Sequence, residues 1–92
     1  MLYVLICEDR PDSEPLRKSV REEHLGHLQS HDIRYAGPML ADDESTMVGS
    51  VIVIEATDRA AVDAFAAADP YQRAGLFERV TIRPFKQVIA QP

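Results

Sequence analysis

"VGSVIVIEA", residues 48–56, decides the fold. Successive side chains of a strand point to opposite faces, so Val51 and Val53 face one way and Ile52 and Ile54 the other. Turn-forming residues bound the run on both sides, and a strand apolar on both faces belongs in the middle of a sheet covered front and back. "LYVLIC", residues 2–7, has the same character: Tyr3, Leu5 and Cys7 oppose Leu2, Val4 and Ile6.

Working outward, the remaining segments are edges and helices. "IRYAGPML", 33–40, is a strand weakened and bent by Gly37 and Pro38, hence an edge. "LFERVTIRPF", 76–85, alternates Val80 and Ile82 with Arg79, Thr81 and Arg83, the pattern of a strand with one wet face. Pro15 suits the first turn of a helix running through "LRKSVREEHLGHLQSH", 16–31, with Ser13 or Glu14 near its cap. Thr57 or Asp58 caps a second helix, "TDRAAVDAFAAA", 57–68, and Asp69 closes it with Pro70 forbidding another turn. The acidic "ADDEST", 41–46, is a connection.

The order is β-α-β-β-α-β in one domain spanning residues 1–92. It predicts a ferredoxin-like α+β sandwich, a four-stranded antiparallel sheet with both helices on one face and the first and third strands central. Two helices cover only one face. The other face is expected to pack against a second copy, giving a homodimer or larger assembly of the dimeric α+β barrel type.

Composition narrows the partners. The chain has 92 residues, 46% hydrophobic and 27% charged, with a formal net charge of −5. That balance is ordinary for a globular domain and argues against nucleic acid or an anionic membrane as partner, since both require a basic surface. Cys7 is the only cysteine, so no disulfide can form within the chain. With no signal-peptide pattern and no apolar span, the expected compartment is the cytoplasm. Gly37 and Gly49 stand alone and form no phosphate loop, and no cofactor motif is present.

Two polar residues sit on apolar stripes. At about 100° per residue, Leu16, Val20, Leu25 and Leu28 define one arc of the first helix, and His24 lies near its middle. Arg17 and Arg21, on the preceding turns, share the arc. In the second helix Val62, Phe65 and Ala66 follow i, i+3 and i+4, and i+7 is Asp69. Each residue has a plain reading, a core histidine with a satisfied hydrogen bond and an Asp-Pro turn. Together they form a minimal acid–base pair, a carboxylate orienting an imidazole, and the unfavourable charge of an Asp at a helix C-terminus would hold it near a cation. Arg17 and Arg21 would bias the pocket toward anions. His24, His27 and His31 share one patch but bring no carboxylate at a ligand spacing, so no metal is expected. Cys7 reads as core rather than nucleophile.

The ordered set of "REEHLGHL", "AGPML", "GSVIVIEA", "DPYQRAGLFE" and "VTIRPF" resembles the YciI-like (YCII-related) family of small bacterial proteins over nearly the whole chain. The resemblance implies a ferredoxin-like fold dimerising sheet to sheet and a His–Asp pair in a pocket, here His24 and Asp69, with Ser50 and Tyr71 lining the same pocket. A few members eliminate halide from hydroxylated, halogenated aromatic compounds. That substrate is not carried over, because only three Phe and three Tyr are available to build an aromatic pocket. The resulting expectation is a small cofactor-independent enzyme doing lyase- or isomerase-type chemistry on a small, anionic organic molecule. The alternatives are a non-catalytic metabolite-binding dimer and a cofactor-free monooxygenase on the same barrel.

Overall fold

A computed structural model describes residues 1–90. Its elements are β1 (Leu2–Asp9), α1 (Glu14–Gln29), β2 (Ile33–Leu40), β3 (Met47–Glu55), α2 (Arg59–Ala68), α3 (Pro70–Arg73) and β4 (Phe77–Phe85). The sheet order is β2-β3-β1-β4 and every pairing is antiparallel. The two strands apolar on both faces are central, as their sequences require, and the fold is the ferredoxin-like α+β sandwich.

One face of the central strands carries the core. Tyr3, Leu5, Cys7, Ile52 and Ile54 are buried against Leu28 of α1, Val62 and Phe65 of α2, and Leu76 and Phe77 beyond α3. Helices therefore cover this face alone. On the other face Leu2, Val4 and Val51 are half-buried and Ile6 is exposed, while Val53 is buried.

Several boundaries differ from the sequence reading for local reasons. β1 continues two residues past Cys7 because Glu8 and Asp9 pair with Arg79 and Phe77 across a bulge. α1 stops at Gln29, where the Ser30 hydroxyl donates to the His27 carbonyl and competes with a further helical turn. Gly37 and Pro38 do not break β2. They pair in register with Val51 and Ser50, and the irregularities fall on either side of them. Gly49 pairs with Glu8 and Met39, next to the irregularity at Val48, and a Cβ there would run into the Cys7 carbonyl oxygen. Glycine is needed for that close approach.

The largest departure lies at 69–76. Asp69 ends α2 and at once begins α3, where the sequence predicts no further helical turn. The short helix closes with Gly75 at φ 79°, its N–H donating to the Gln72 carbonyl at 3.0 Å and the Leu76 N–H to that of Tyr71 at 3.0 Å. This paired bonding is a Schellman cap, which needs the left-handed conformation that glycine adopts without strain, and it turns Leu76 fully into the core.

Candidate active site

The site is built on the start of α3. Asp69 has extended backbone, φ −61° and ψ 125°, and its side chain accepts from the Tyr71 N–H at 2.9 Å. Pro70 in the first helical position has no N–H to satisfy, so the carboxylate caps the next residue along. The charge that looked misplaced at the end of α2 thus sits at a helix N-terminus, where it is favourable. Asp69 still closes α2, so the unfavourable helix end expected from the sequence is present together with the favourable one.

The same oxygen serves a second donor. His24 Nδ1 lies 2.8 Å from Asp69 Oδ1, and both residues are buried, 5% and 2% exposed. Because Oδ1 already accepts from an amide, the shared hydrogen belongs on Nδ1, so in the neutral ring the lone pair is on Nε2. The His24 ring is held flat against Tyr71, centroids 3.8 Å apart and planes within 12°. Tyr71 follows Asp69 by two residues, so one turn of backbone supplies both the orienting carboxylate and the stacking ring.

Arg17, two turns before His24 on α1, forms the neighbouring arm. Its Nε and Nη2 donate to the two oxygens of Asp9 at 2.8 and 3.0 Å, and Nη2 also donates to Ser50 Oγ at 2.8 Å. Its guanidinium carbon lies 4.7 Å from the Tyr71 ring centroid. Burial works against the Arg17 charge, but hydrogen bonding and attraction to Asp9 outweigh it and raise the guanidinium above its ordinary value. Burial likewise raises the Tyr71 hydroxyl, with Arg17 and Arg21 pulling the other way, so the phenol stays neutral.

These groups border a cleft of about 220 Å³ between α1 and the β2–β3 hairpin. Leu25, Leu28, Pro38, Met47 and Ile52 give it apolar walls, and Arg17, Arg21, His24, Ser50 and Tyr71 supply its polar groups. The volume lies below the usual range for drug-sized ligands and suits a molecule of about one ring. Arg21 is exposed at the rim and makes no ion pair among the described residues, whereas the Arg17 charge is matched by Asp9. Attraction for an anion therefore falls to Arg21 rather than to both arginines.

Of the six residues singled out from the sequence or the resemblance, His24, Arg17, Arg21, Ser50 and Tyr71 line the cleft, and Asp69 lies behind His24, bonded to its ring. Asp9 was missed. Its only signal is an acidic residue ending an apolar strand, which reads as a turn until α1 brings Arg17 over it. The other histidines take separate roles: His27 Nε2 is 2.9 Å from the Phe65 carbonyl, and His31 Nδ1 is 2.9 Å from the His27 carbonyl. Among the described residues no three His, Cys, Asp or Glu side chains cluster as metal ligands. Burial, then Asp69, pushes the Cys7 thiol up to about 12, which keeps it protonated and a poor nucleophile.

Comparison with known proteins agrees with this architecture. The YCII-related domain matches residues 1–86. The chain belongs to the YCII-related family. Within it, the protein YciI of Escherichia coli O6:H1 is 42% identical, covering 96% of this chain and 99% of its own. Among solved structures, the 5-chloro-2-hydroxyhydroquinone dehydrochlorinase TftG of Burkholderia phenoliruptrix AC1100, in complex with 2,5-dihydroxybenzoquinone, superposes with a TM-score of 0.87 at 31% identity over 96% of each chain. An antibiotic biosynthesis monooxygenase shares the fold at TM-score 0.59 and 18% identity, over 97% of this chain and 100% of its own. No helix among the described residues is long and apolar enough to cross a membrane.

Proposed function

We propose that the protein is a cofactor-independent enzyme of the lyase or isomerase type, in which His24 moves a proton on a small, anionic, planar organic molecule. The observation that carries this reading is the 2.8 Å contact between His24 Nδ1 and Asp69 Oδ1. With Nδ1–H given to the carboxylate, Nε2 is the free basic position, and the cleft is bordered by this ring. When Nε2 takes a proton the imidazolium forms beside the Asp69 carboxylate, which stabilises it, and the Tyr71 stack limits rotation of the ring. Support also comes from TftG, a dehydrochlorinase by name, because loss of hydrogen chloride requires a base and a departing anion. The substrate of TftG is not transferred. A single-ring or shorter anion fits the cleft, and Arg21 at the rim would meet its charge.

We also infer a homodimer formed through the open sheet face, because Leu2, Val4, Ile6 and Val51 present an apolar surface that the helices leave uncovered.

The test of the catalytic reading is proton exchange rather than net turnover. A panel of small enolisable and phenolic acids, incubated with the protein in D2O and followed by NMR, should include members whose carbon-bound hydrogen exchanges faster with the protein than without it. His24→Gln and Asp69→Asn should remove most of that acceleration. Ligands that bind in the cleft with no exchange would replace this reading with the non-catalytic metabolite-binding one.

A further inference from the structure

The acid–base reading uses His24 and Asp69 and leaves the second buried polar arm of the cleft without a task. Ser50 is 3% exposed and borders the cleft. Its oxygen accepts from Arg17 Nη2 at 2.8 Å, while its own hydrogen has no protein acceptor among the described residues. A buried hydroxyl usually spends its hydrogen as well as its lone pairs, so the free O–H marks a position for a ligand acceptor. The cation behind it matters. A hydroxyl oxygen that accepts from a guanidinium becomes a stronger donor through its hydrogen.

We propose, on the basis of the acid–base reading above, that Ser50 is the oxyanion donor of this site, meeting the carbonyl oxygen of a planar substrate, and that Arg17, anchored by Asp9, positions and polarises it. Arg17 is suited to holding rather than binding. Its fork is fixed by two bonds to Asp9, a side chain only 3% exposed, so the guanidinium cannot swing toward a ligand without stranding a buried carboxylate. The Tyr71 ring ties the arms together, with His24 stacked on it at 3.8 Å and the Arg17 guanidinium 4.7 Å from its centroid. Base and donor therefore border one slot with apolar walls, where a hydrogen bond to developing charge is strengthened.

The step balances without an oxidant or reductant. The substrate C–H bond breaks and its proton goes to His24 Nε2. The electron pair left on carbon shifts into the adjacent carbonyl, whose oxygen gains negative charge and accepts the Ser50 O–H. The carbonyl then reforms, and the pair either takes a proton back from His24 at another carbon, which is isomerisation, or expels a leaving group, which is elimination. The substrate class that follows is an enolisable carbonyl compound, with the carbonyl conjugated to the carbon that loses its proton; a phenolate imitates the charged oxygen of its enolate.

The probe is 4-nitrophenol, whose absorption separates phenol from phenolate and responds to hydrogen bonding at the oxygen. The wild-type protein should bind the phenolate in preference to the phenol. Ser50→Ala should weaken phenolate binding about 10-fold, the loss of one hydrogen bond to a charged acceptor, with less effect on the neutral form. Ser50→Thr, which keeps the hydroxyl, should restore most of the affinity, which a merely space-filling serine would not require. Where Ser50→Ala loses its fold through the stranded Arg17 Nη2, Ser50→Cys, a weaker donor, makes the same comparison and should fall between alanine and threonine. Phenolate affinity unchanged by Ser50→Ala or Ser50→Cys, or no phenolate binding by the wild type at millimolar concentration, would overturn the proposal. Hydrogen exchange on His24→Gln reads the base separately. Serine-dependent phenolate binding with exchange indifferent to His24 would remove the base and leave the donor standing, and the reverse pair of results would remove the donor alone.

Discussion

Replacing Asp69 separates its two duties, because one oxygen performs both. Oδ1 caps α3 through the Tyr71 N–H at 2.9 Å and holds His24 Nδ1 at 2.8 Å. Asp69→Asn keeps a carbonyl oxygen that can cap as well as the carboxylate does, so its stability cost should stay near or below about 1 kcal/mol. Asp69→Ala loses the cap, about 1 kcal/mol, and strands a buried imidazole N–H, about 1–3 kcal/mol more. The expected total is therefore about 2–4 kcal/mol. Urea unfolding of both variants, repeated in a His24→Gln background, reads the two parts. The cap term should survive in that background and the imidazole term should vanish, leaving a coupling of about 1–3 kcal/mol between positions 24 and 69. Imidazole ¹⁵N shifts give the chemical counterpart: His24 should carry its hydrogen on Nδ1 in the wild type and lose that preference in Asp69→Ala. Losses that add within about 0.3 kcal/mol, or an Asp69→Ala no worse than Asp69→Asn, would refute the shared-oxygen reasoning.

Other consequences can be measured independently. Gly75→Ala forces a side chain into φ 79° and should cost about 1 kcal/mol, read as a lower midpoint in the same urea titration, with no change expected if the Schellman cap were absent. Asp9→Ala leaves the Arg17 charge buried without its partner and should cost about 3–5 kcal/mol, with Asp9→Ala/Arg17→Met recovering part of the loss. Because the Cys7 thiol is raised from 9.0 to about 12 in the folded state, its contribution is complete below pH 9 and is lost as pH climbs from 9 toward 12. Cys7→Ala should accordingly flatten the alkaline fall in stability by up to about 1.4 kcal/mol per pH unit. Light scattering at micromolar concentration should show a dimer that Val51→Lys converts to monomer, and a wild-type monomer would remove the inference drawn from the open sheet face.

The sequence by itself determined the sheet. Two strands apolar at odd and even positions can be satisfied only in the centre of a covered sheet, and the remaining segments then have few places to go, so β2-β3-β1-β4 follows from periodicity and connection rules. It also marked His24, because a histidine among leucines on one helical arc must point inward. Asp69 was legible as inward-facing but for an incomplete reason. "DP" was read as a helix stop, although Asp at an N-cap followed by Pro at the first helical position is equally a helix start. Both readings hold, since Asp69 ends α2 and begins α3. Ser50 and Tyr71 entered chiefly through the family likeness, because a serine in a strand and a tyrosine in a turn carry no periodic signal. Asp9 read only as the turn after an apolar strand. Its role depends on Arg17, eight residues later and on another element, arriving over the end of β1 with its fork aligned to the carboxylate. Periodicity reports which face a residue occupies, because that is fixed by local backbone geometry. Which buried donor meets which buried acceptor is a property of distances between elements, and those exist only once the helices have packed on the sheet.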